Sequence, residues 1–403
     1  MAQSAGDQLF TTSWTLHRLS PLYHGKDCET LLDNAKGLKL YADRLRDLLR
    51  GDVFRGVQVG IEGLGAAEDA LSKAGPLRAC KWDVLPTWSH WNEEESLLED
   101  PEQTAYVVAP EVSAGVLVTL EYENITYKAA LLTGPDGYHD TQKDVTFLPL
   151  LVTRLPNSLR QMFISFLATN FDTRCSLLRL PSSFLCASFE NYLSTLNRAS
   201  TSSSRAFVEK VIKETQLTVS FPPPISPSLK SLDILIPRES VSAFYTHGSK
   251  IIADNTQANR PQTRGRKRLH PNGTDSSVDH GPSAPFLAAL SAYVDSNLAM
   301  KLDISDFGRE PTDTETKHVR LSKVSCGAFV LGSEGRMKLL ANPGRVVPFD
   351  DEEVDQDDDD PDRREIRLVW RANEQLLRAL VTRAVGGQSY GQQIRNTEGG
   401  EGT

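Results

Sequence analysis

Gly115-Val-Leu-Val-Thr-Leu-Glu-Tyr-Glu-Asn-Ile-Thr-Tyr-Lys-Ala-Ala-Leu-Leu132 decides the fold class. Its first half alternates, placing Val116, Val118, Leu120 and Tyr122 on one face. Its second half returns with Ile125, Tyr127, Ala129 and Leu131. Period two on both sides of a short polar turn at Glu123-Asn124 predicts an antiparallel hairpin. Helical stretches lie before and after it, so the pattern is that of an α+β protein with a mainly antiparallel sheet.

Upstream, Phe10 to Tyr23 reads as an extended segment closed by Pro21. From Cys28 to Arg50 the apolar residues Leu31, Ala35, Leu38, Ala42, Leu45 and Leu49 follow helical spacing. Gly51 is the expected stop. A strand over Val53–Val59, a helix over Ala66–Ala74 and a strand over Ala79–Leu85 follow. Trp82, Trp88 and Trp91 sit close together, which fits a loop anchored in the core or an interface hot spot.

Downstream, Gly134-Pro-Asp-Gly137 marks a loop. Helices are expected over Leu159–Asn170, Ser182–Asn197 and Arg205–Thr215. Between the last two, the Ser/Thr run Ser200–Ser204 is a plain linker or a phosphorylation target. Strands over Leu217–Phe221 and Leu229–Ile236 and a helix over Glu239–Ile251 come next. Residues Ala253–Pro282 have too few apolar side chains to order themselves and form a basic linker. A helix over Ala284–Met300 precedes a second hairpin, Lys317–Leu340. Its first arm puts Val324, Cys326, Ala328 and Val330 on one face, and Gly332-Ser-Glu-Gly335 is its turn. Glu365–Trp370 reads as a strand or a strand-like lead, and Asn373–Ala384 as a helix. Seven segments result: an N-terminal α/β domain over 1–155, a helical and mixed segment over 156–252, and the linker over 253–282. A C-terminal α+β part covers 283–349, an acidic insert 350–362, a strand and helix 363–385, and a disordered tail 386–403.

Charge is concentrated in one place. The formal net charge is −9, yet Asp350–Asp362 alone holds ten acidic side chains and no basic one. The rest of the chain is close to neutral, so bulk charge does not point to a nucleic-acid partner. Apolar content of 39% and charged content of 24% read as soluble and globular. The five cysteines form no CxxC pair and read as reduced, buried thiols. No apolar run approaches the roughly 20 residues of a membrane span. MAQSAGDQLF lacks the basic and apolar regions of a secretory signal.

Chemistry-bearing motifs are missing. Gly60-Ile-Glu-Gly63-Leu-Gly65 has neither dinucleotide nor P-loop spacing. His17, His24, His90 and His139 never fall at metal-ligand spacing, and no GxSxG elbow is present. No cofactor, metal, small-molecule substrate or membrane is expected, and the chain reads as non-enzymatic. Arg264-Gly-Arg-Lys-Arg268 carries four positive charges in five residues. Arg264, Arg266, Lys267 and Arg268 fit a nuclear-import cluster, a phosphate grip or an inert loop. Arg363, Arg364, Arg367 and Arg371 are candidate contacts to DNA or phosphate. The acidic insert is a solvated loop or a contact for basic partners.

Two blocks carry a resemblance. Ser13-Trp-Thr-Leu-His-Arg-Leu-Ser-Pro-Leu-Tyr-His24, continued by Leu45-Arg-Asp-Leu-Leu-Arg-Gly-Asp-Val-Phe-Arg-Gly-Val-Gln-Val-Gly60, resembles the N-terminal signature of fungal members of the centromere protein L family. Val319-Arg-Leu-Ser-Lys-Val-Ser-Cys-Gly-Ala-Phe-Val-Leu-Gly-Ser-Glu-Gly-Arg336 is similar to their C-terminal hairpin. The resemblance implies a scaffold of the inner kinetochore, the constitutive centromere-associated network, built on curved and largely antiparallel sheets. It also implies a nuclear, centromeric location, a heterodimer with a centromere protein N homologue, and contacts with other inner-kinetochore subunits. Centromeric DNA or the nucleosome would be reached through the assembly, in the service of chromosome segregation in mitosis. A partner strand added to the C-terminal hairpin would satisfy free backbone groups, which makes Val324, Cys326, Ala328 and Val330 candidate partner-binding residues. The same four also fit a face turned to the core. The rival reading is a stand-alone nuclear nucleic-acid-binding protein using the basic linker and the arginine-rich C-terminal helix.

Overall fold

Ser13–Leu19, the opening of the first resemblance block, is strand β1, and it sits in the middle of a sheet. The structure is a computed structural model. It describes residues 9–24, 31–32, 34–55, 73–85, 114–134, 144–198, 204–221, 228–258, 284–300, 319–340 and 361–386. In chain order β1 and β2 (Leu22–Tyr23) lead to helix α1 (Ala35–Arg55). Strands β3 (Leu77–Leu85), β4 (Gly115–Tyr122), β5 (Thr126–Leu132), β6 (Val145–Thr146) and β7 (Leu150–Arg154) follow. Next come α2 (Asn157–Phe171), β8 (Cys175–Leu177), α3 (Ser182–Arg198) and α4 (Ser204–Ile212). Then β9 (Thr215–Ser220) and β10 (Ser231–Ile236) precede α5 (Arg238–Ala258) and α6 (Pro285–Leu298). The chain closes with β11 (Arg320–Ser325), β12 (Phe329–Gly332), β13 (Arg336–Leu339) and α7 (Pro361–Gly386).

Two compact units result, one of Met1–Leu180 with Ala328–Thr403, the other of Pro181–Gly327. In the first, the strand order is β12-β13-β1-β7-β5-β4-β3 with antiparallel pairings. β8 joins β1 beyond β13, on the same edge. The β4–β5 hairpin is as its alternation predicts, with Val118 opposite Ala129 and Val116 opposite Leu131. Those residues face a core shared with Leu38, Tyr41, Leu45 and Leu49 of α1 and Leu159, Phe163, Phe166 and Leu167 of α2. Trp82 is its aromatic centre, within 6.2–6.4 Å of the rings of Tyr41, Phe163, Phe166 and Phe171. This favours the core reading for that tryptophan. Trp88 and Trp91 lie outside the described residues.

The alternate strand positions are buried as well. Trp14, Leu16, Leu117, Ala130, Leu132, Leu150 and Val152 point to the opposite face, where α7 packs against β1 and β7. Three contacts fasten α7. Phe10 and Trp370 stack at 4.8 Å. Asn373 donates from Nδ2 to the Leu340 carbonyl at 3.1 Å. Arg18 donates to the Arg383 carbonyl at 3.2 Å, placing a cation at the negative end of the helix dipole. Beyond α7 the same face turns polar, with Lys81 and Glu121 paired at 2.6 Å.

In the second unit β10, β9 and β11 pair antiparallel in that order. Thr215, Leu217, Val219, Ile236, Leu321 and Val324 are buried on one face, and α3 packs against β11. α5 and α6 lie side by side. Glu190 of α3 caps α6, its carboxylate oxygens accepting the Phe286 and Leu287 N–H groups at 3.2 and 3.0 Å. Phe286 stacks edge-on against Phe189 at 5.0 Å.

Several local expectations are corrected. α1 does not stop at Gly51 but runs to Arg55, so Val53–Arg55 are helical and only 56–59 of the expected strand fall outside the described residues. A glycine costs a helix about 1 kcal/mol, which this long apolar stripe outweighs. Most of the expected Ala66–Ala74 helix is outside the described residues, and Lys73-Ala74 form a turn. α4 ends at Ile212 and Thr215 already belongs to β9. α5 continues to Ala258. Glu365–Trp370, read as a strand, is helical and part of α7. Its branched and aromatic residues favour a strand locally, but Val369 opens the stripe Val369, Ala372-Asn373, Leu376-Leu377, Leu380-Val381 and Ala384, all buried. Packing of that stripe overrides propensity.

Candidate functional site

The second hairpin, the partner surface that the sequence predicts, has a broken first arm. β11 ends at Ser325 and β12 begins at Phe329. Between them the Gly327 N–H donates to the Ile212 carbonyl at 2.6 Å. The approach is so close that a side chain at Gly327 would meet the Val211 carbonyl oxygen at 2.6 Å. The break resets the alternation. Val324, Cys326 and Ala328 are buried, yet beyond the break it is Phe329 and Leu331 that turn inward, and Val330 is only half-buried. The four residues therefore do not share one exposed face. β13 is also no free edge, having β12 on one side and β1 on the other.

Free strand edges lie elsewhere. Among the described residues β3 pairs only with β4, and β10 only with β9. β3 is guarded by a bulge between Leu77 and Ala79. It also carries Arg78 and Lys81, tied to Glu123 and Glu121 at 2.9 and 2.6 Å. Charge and irregularity of this kind discourage edge pairing. β10 has neither bulge nor cation. It pairs without interruption from Ser231 opposite Ser220 to Ile236 opposite Thr215. Its outer positions are Ser231, Asp233 and Leu235, the last 60% exposed. Leu229, just before it, is exposed too. Alternation revealed β10 as a strand but held no signal that it lies last in its sheet.

The basic candidates divide. Arg264, Arg266, Lys267 and Arg268 lie outside the described residues, as does the acidic insert except for Pro361 and Asp362. Those two open α7, where a proline at the first helical position and an acidic side chain both suit the helix start. Arg363, Arg364 and Arg367 lie on the backbone of α7's first turns. Arg371 is half-buried, and Arg378 and Arg383 are exposed. With Gln375 and Thr382 these exposed positions lie opposite the buried stripe, so α7 offers a basic outer side.

Two buried carboxyls carry no signal in the sequence, because each sits among ordinary helical residues. Burial pushes Glu374 of α7 up to about 7, and its Oε1 has no hydrogen-bond partner. Burial does the same to Glu190, against the lowering pull of the Leu287 and Phe286 N–H groups. An unfolded glutamate ionises near pH 4.3 (about). Between there and about 7 the native state holds protons that the unfolded state has released, so stability falls as pH rises through that window. His17 acts oppositely. Burial first, then the Arg160 guanidinium, hold its imidazole down to about 4, so its contribution is lost as pH falls from 6.5 towards 4. Glu374→Gln isolates one of these effects. From pH 4.5 to 8 its stability relative to wild type is expected to rise by up to about 3 kcal/mol. Urea denaturation at the two pH values checks this; parallel stability profiles for mutant and wild type contradict it.

Among the described residues no group of three or more His, Cys, Asp or Glu side chains is placed to hold a metal ion. No described helix is long and apolar enough to cross a membrane. Burial pushes the thiols of Cys80 and Cys175 up to about 12, the reverse of what a nucleophile needs.

No curated protein matches the chain. The family model for centromere protein L (CENP-L) matches residues 8–385. That span opens just before β1, closes in the last turn of α7 and takes in the strands of both units. The chain thus belongs to the centromere protein L family, structural components of the kinetochore at the centromere.

Proposed function

We propose that this chain is a non-enzymatic subunit of the inner kinetochore that pairs with a centromere protein N homologue. The pair helps to attach the kinetochore to centromeric chromatin during chromosome segregation. The wording of Ser13–Gly60 supports placing it among the fungal members. The observation that carries the pairing is the bulge-free edge β10, whose one charged side chain, Asp233, is tied down by the Thr218 hydroxyl at 2.6 Å. A strand edge that has no neighbour among the described residues and carries exposed apolar side chains favours addition of a partner strand. The contact is placed on β10 and not on the hairpin around Val324, Cys326, Ala328 and Val330, since the first three are buried and Val330, half-buried, lies on a strand next to β13. In this reading Arg264, Arg266, Lys267 and Arg268 act in nuclear import. Arg363, Arg364, Arg367 and Arg371 reach DNA phosphates within the assembly.

Leu235→Lys tests the edge without touching the core. A lysine there guards the strand as charges guard β3. Co-purification with the centromere protein N homologue is expected to drop at least tenfold, with an unchanged circular dichroism spectrum and Tm. Normal recovery of the partner by folded Leu235→Lys protein sinks the assignment.

The exposed Arg378 and Arg383 favour one alternative, a stand-alone nucleic-acid-binding protein. Tight, salt-sensitive gel shifts by the isolated chain would favour it.

A further inference from the structure

One hydrogen bond fixes which backbone groups of β10 face outward. The Phe221 N–H donates to the Lys230 carbonyl at 3.1 Å, one step before the pair Ser231–Ser220. Hydrogen-bonded and non-hydrogen-bonded pairs alternate along an antiparallel ladder. Leu232, Ile234 and Ile236 therefore bond back to β9. Ser231, Asp233 and Leu235 turn their N–H and C=O groups to the other side, where no strand lies among the described residues.

Side chains divide by the same alternation. Leu232 and Ile234 belong to the inner face. Val219 and Leu217, opposite them on β9, are each 1% exposed, whereas Leu232 and Ile234 are only half-buried. The core is thus unfinished along this edge. On the outer face, between Ser231 and the exposed Leu235, stands Asp233, the one charged residue of the strand.

The Thr218 hydroxyl donates to Asp233 Oδ1 at 2.6 Å. Thr218 lies directly opposite in a non-hydrogen-bonded pair, where side chains come closest. That bond holds the carboxylate in a row across the sheet, Lys323, Thr218, Asp233, which ends there among the described residues. Lys323 is two strands away, about 10 Å. No cation pairs with Asp233 among the described residues. A carboxylate accepts several hydrogen bonds, and one hydroxyl meets only part of that capacity. A strand laid against β10 strips water from the open side of Asp233. Dehydrating an ion is unfavourable unless an opposite charge takes the water's place.

We propose that β10 selects a partner strand carrying a lysine or arginine opposite Asp233, with apolar residues on either side of it to cover Leu232 and Ile234. The inference rests on the reading of β10 as the pairing edge and adds what that edge recognises. Main-chain bonds supply affinity in strand addition, and alternate side chains supply choice. Opposite charges directly across a sheet attract and like charges repel. Asp233 therefore admits a basic strand and turns away acidic or wholly apolar ones.

The full chain is titrated with the centromere protein N homologue by isothermal titration at low and high salt. Wild-type affinity is expected to fall with salt. Asp233→Asn keeps an acceptor for Thr218, and is expected to bind about three- to fivefold more weakly and to lose most of the salt dependence. Asp233→Lys is expected to weaken binding at least about tenfold, and Leu232→Thr about threefold. Wild-type affinity for both Asp233 variants, beside a lost complex for Leu235→Lys, overturns the inference and leaves β10 as the edge. Wild-type affinity for Leu235→Lys as well removes β10 from the interface and overturns both readings, as does absence of binding by wild type. A tighter Asp233→Asn complex also overturns the inference, because an uncompensated carboxylate would then oppose docking.

Discussion

Gly335→Val is expected to destabilise the first unit by about 3–5 kcal/mol, the sum of left-handed strain at a branched residue and a steric clash. Gly335 ends the β12–β13 turn with φ +70, a conformation that L side chains rarely adopt. A side chain there meets the Leu178 carbonyl oxygen at 2.4 Å and that of Leu16 at 3.2 Å. Three segments converge on the spot. The Leu16 N–H donates to the Gly335 carbonyl at 2.7 Å, and the Leu178 N–H to the Leu16 carbonyl at 3.0 Å. The Leu180 N–H donates to Ser333 at 3.0 Å. Moving the turn aside therefore breaks the junction of β1, β8 and β13 together. Gly332→Ala, at the other end of the same turn, meets nothing nearer than 3.9 Å and is expected to cost less than about 1 kcal/mol. Urea denaturation of both variants decides the matter: similar stabilities for the two would refute the account.

The same substitution is expected to act with opposite sign in two helices. At Gly248 in α5 an added Cβ would lie 1.6 Å from the Pro285 carbonyl oxygen of α6. That contact is with backbone, so no rotamer change relieves it. α6 cannot retreat cheaply, because Glu190 holds its first N–H groups and Phe286 is locked between Phe189 and Phe244. Gly248→Ala is expected to cost at least about 3 kcal/mol as helix packing and cap are strained together. At Gly51 in α1 nothing lies within 4 Å, and Gly51→Ala is expected to stabilise by about 0.5–1 kcal/mol through helix propensity alone. Thermal unfolding of the pair is the check. A stable, well-packed Gly248→Ala protein would show that α5 and α6 are not in contact as described.

Alternation and helical spacing were reliable wherever one pattern ran unbroken. Gly115–Leu132 is the hairpin its period requires, and α2, α3 and α6 lie within a residue or two of their predicted spans. Errors cluster where a distant contact outweighs local preference. Glu365–Trp370 has the composition of a strand, and a sheet face offered by β1 and β7 makes it a helix. Val324 to Val330 has an unbroken alternation, and a backbone contact from Gly327 to the end of α4 divides it.

Of the candidate site, the basic clusters were legible because charge is written in composition. The edge position of β10 was not, because a strand's own residues do not record which neighbour it lacks. Glu190 likewise acquires its role only because α6, almost a hundred residues later, starts against it.

The sequence by itself determined the class of fold, the sheet's antiparallel character, the core faces of its hairpin and helices, and the family resemblance. These depend on periods and wording that extend over a few neighbouring residues. The tertiary structure alone decided which strands lie at the end of a sheet, which carboxyls lose their water, and that residues after Ala328 return to complete the N-terminal unit. Each of those depends on what lies opposite a residue in space, and chain order carries no record of that.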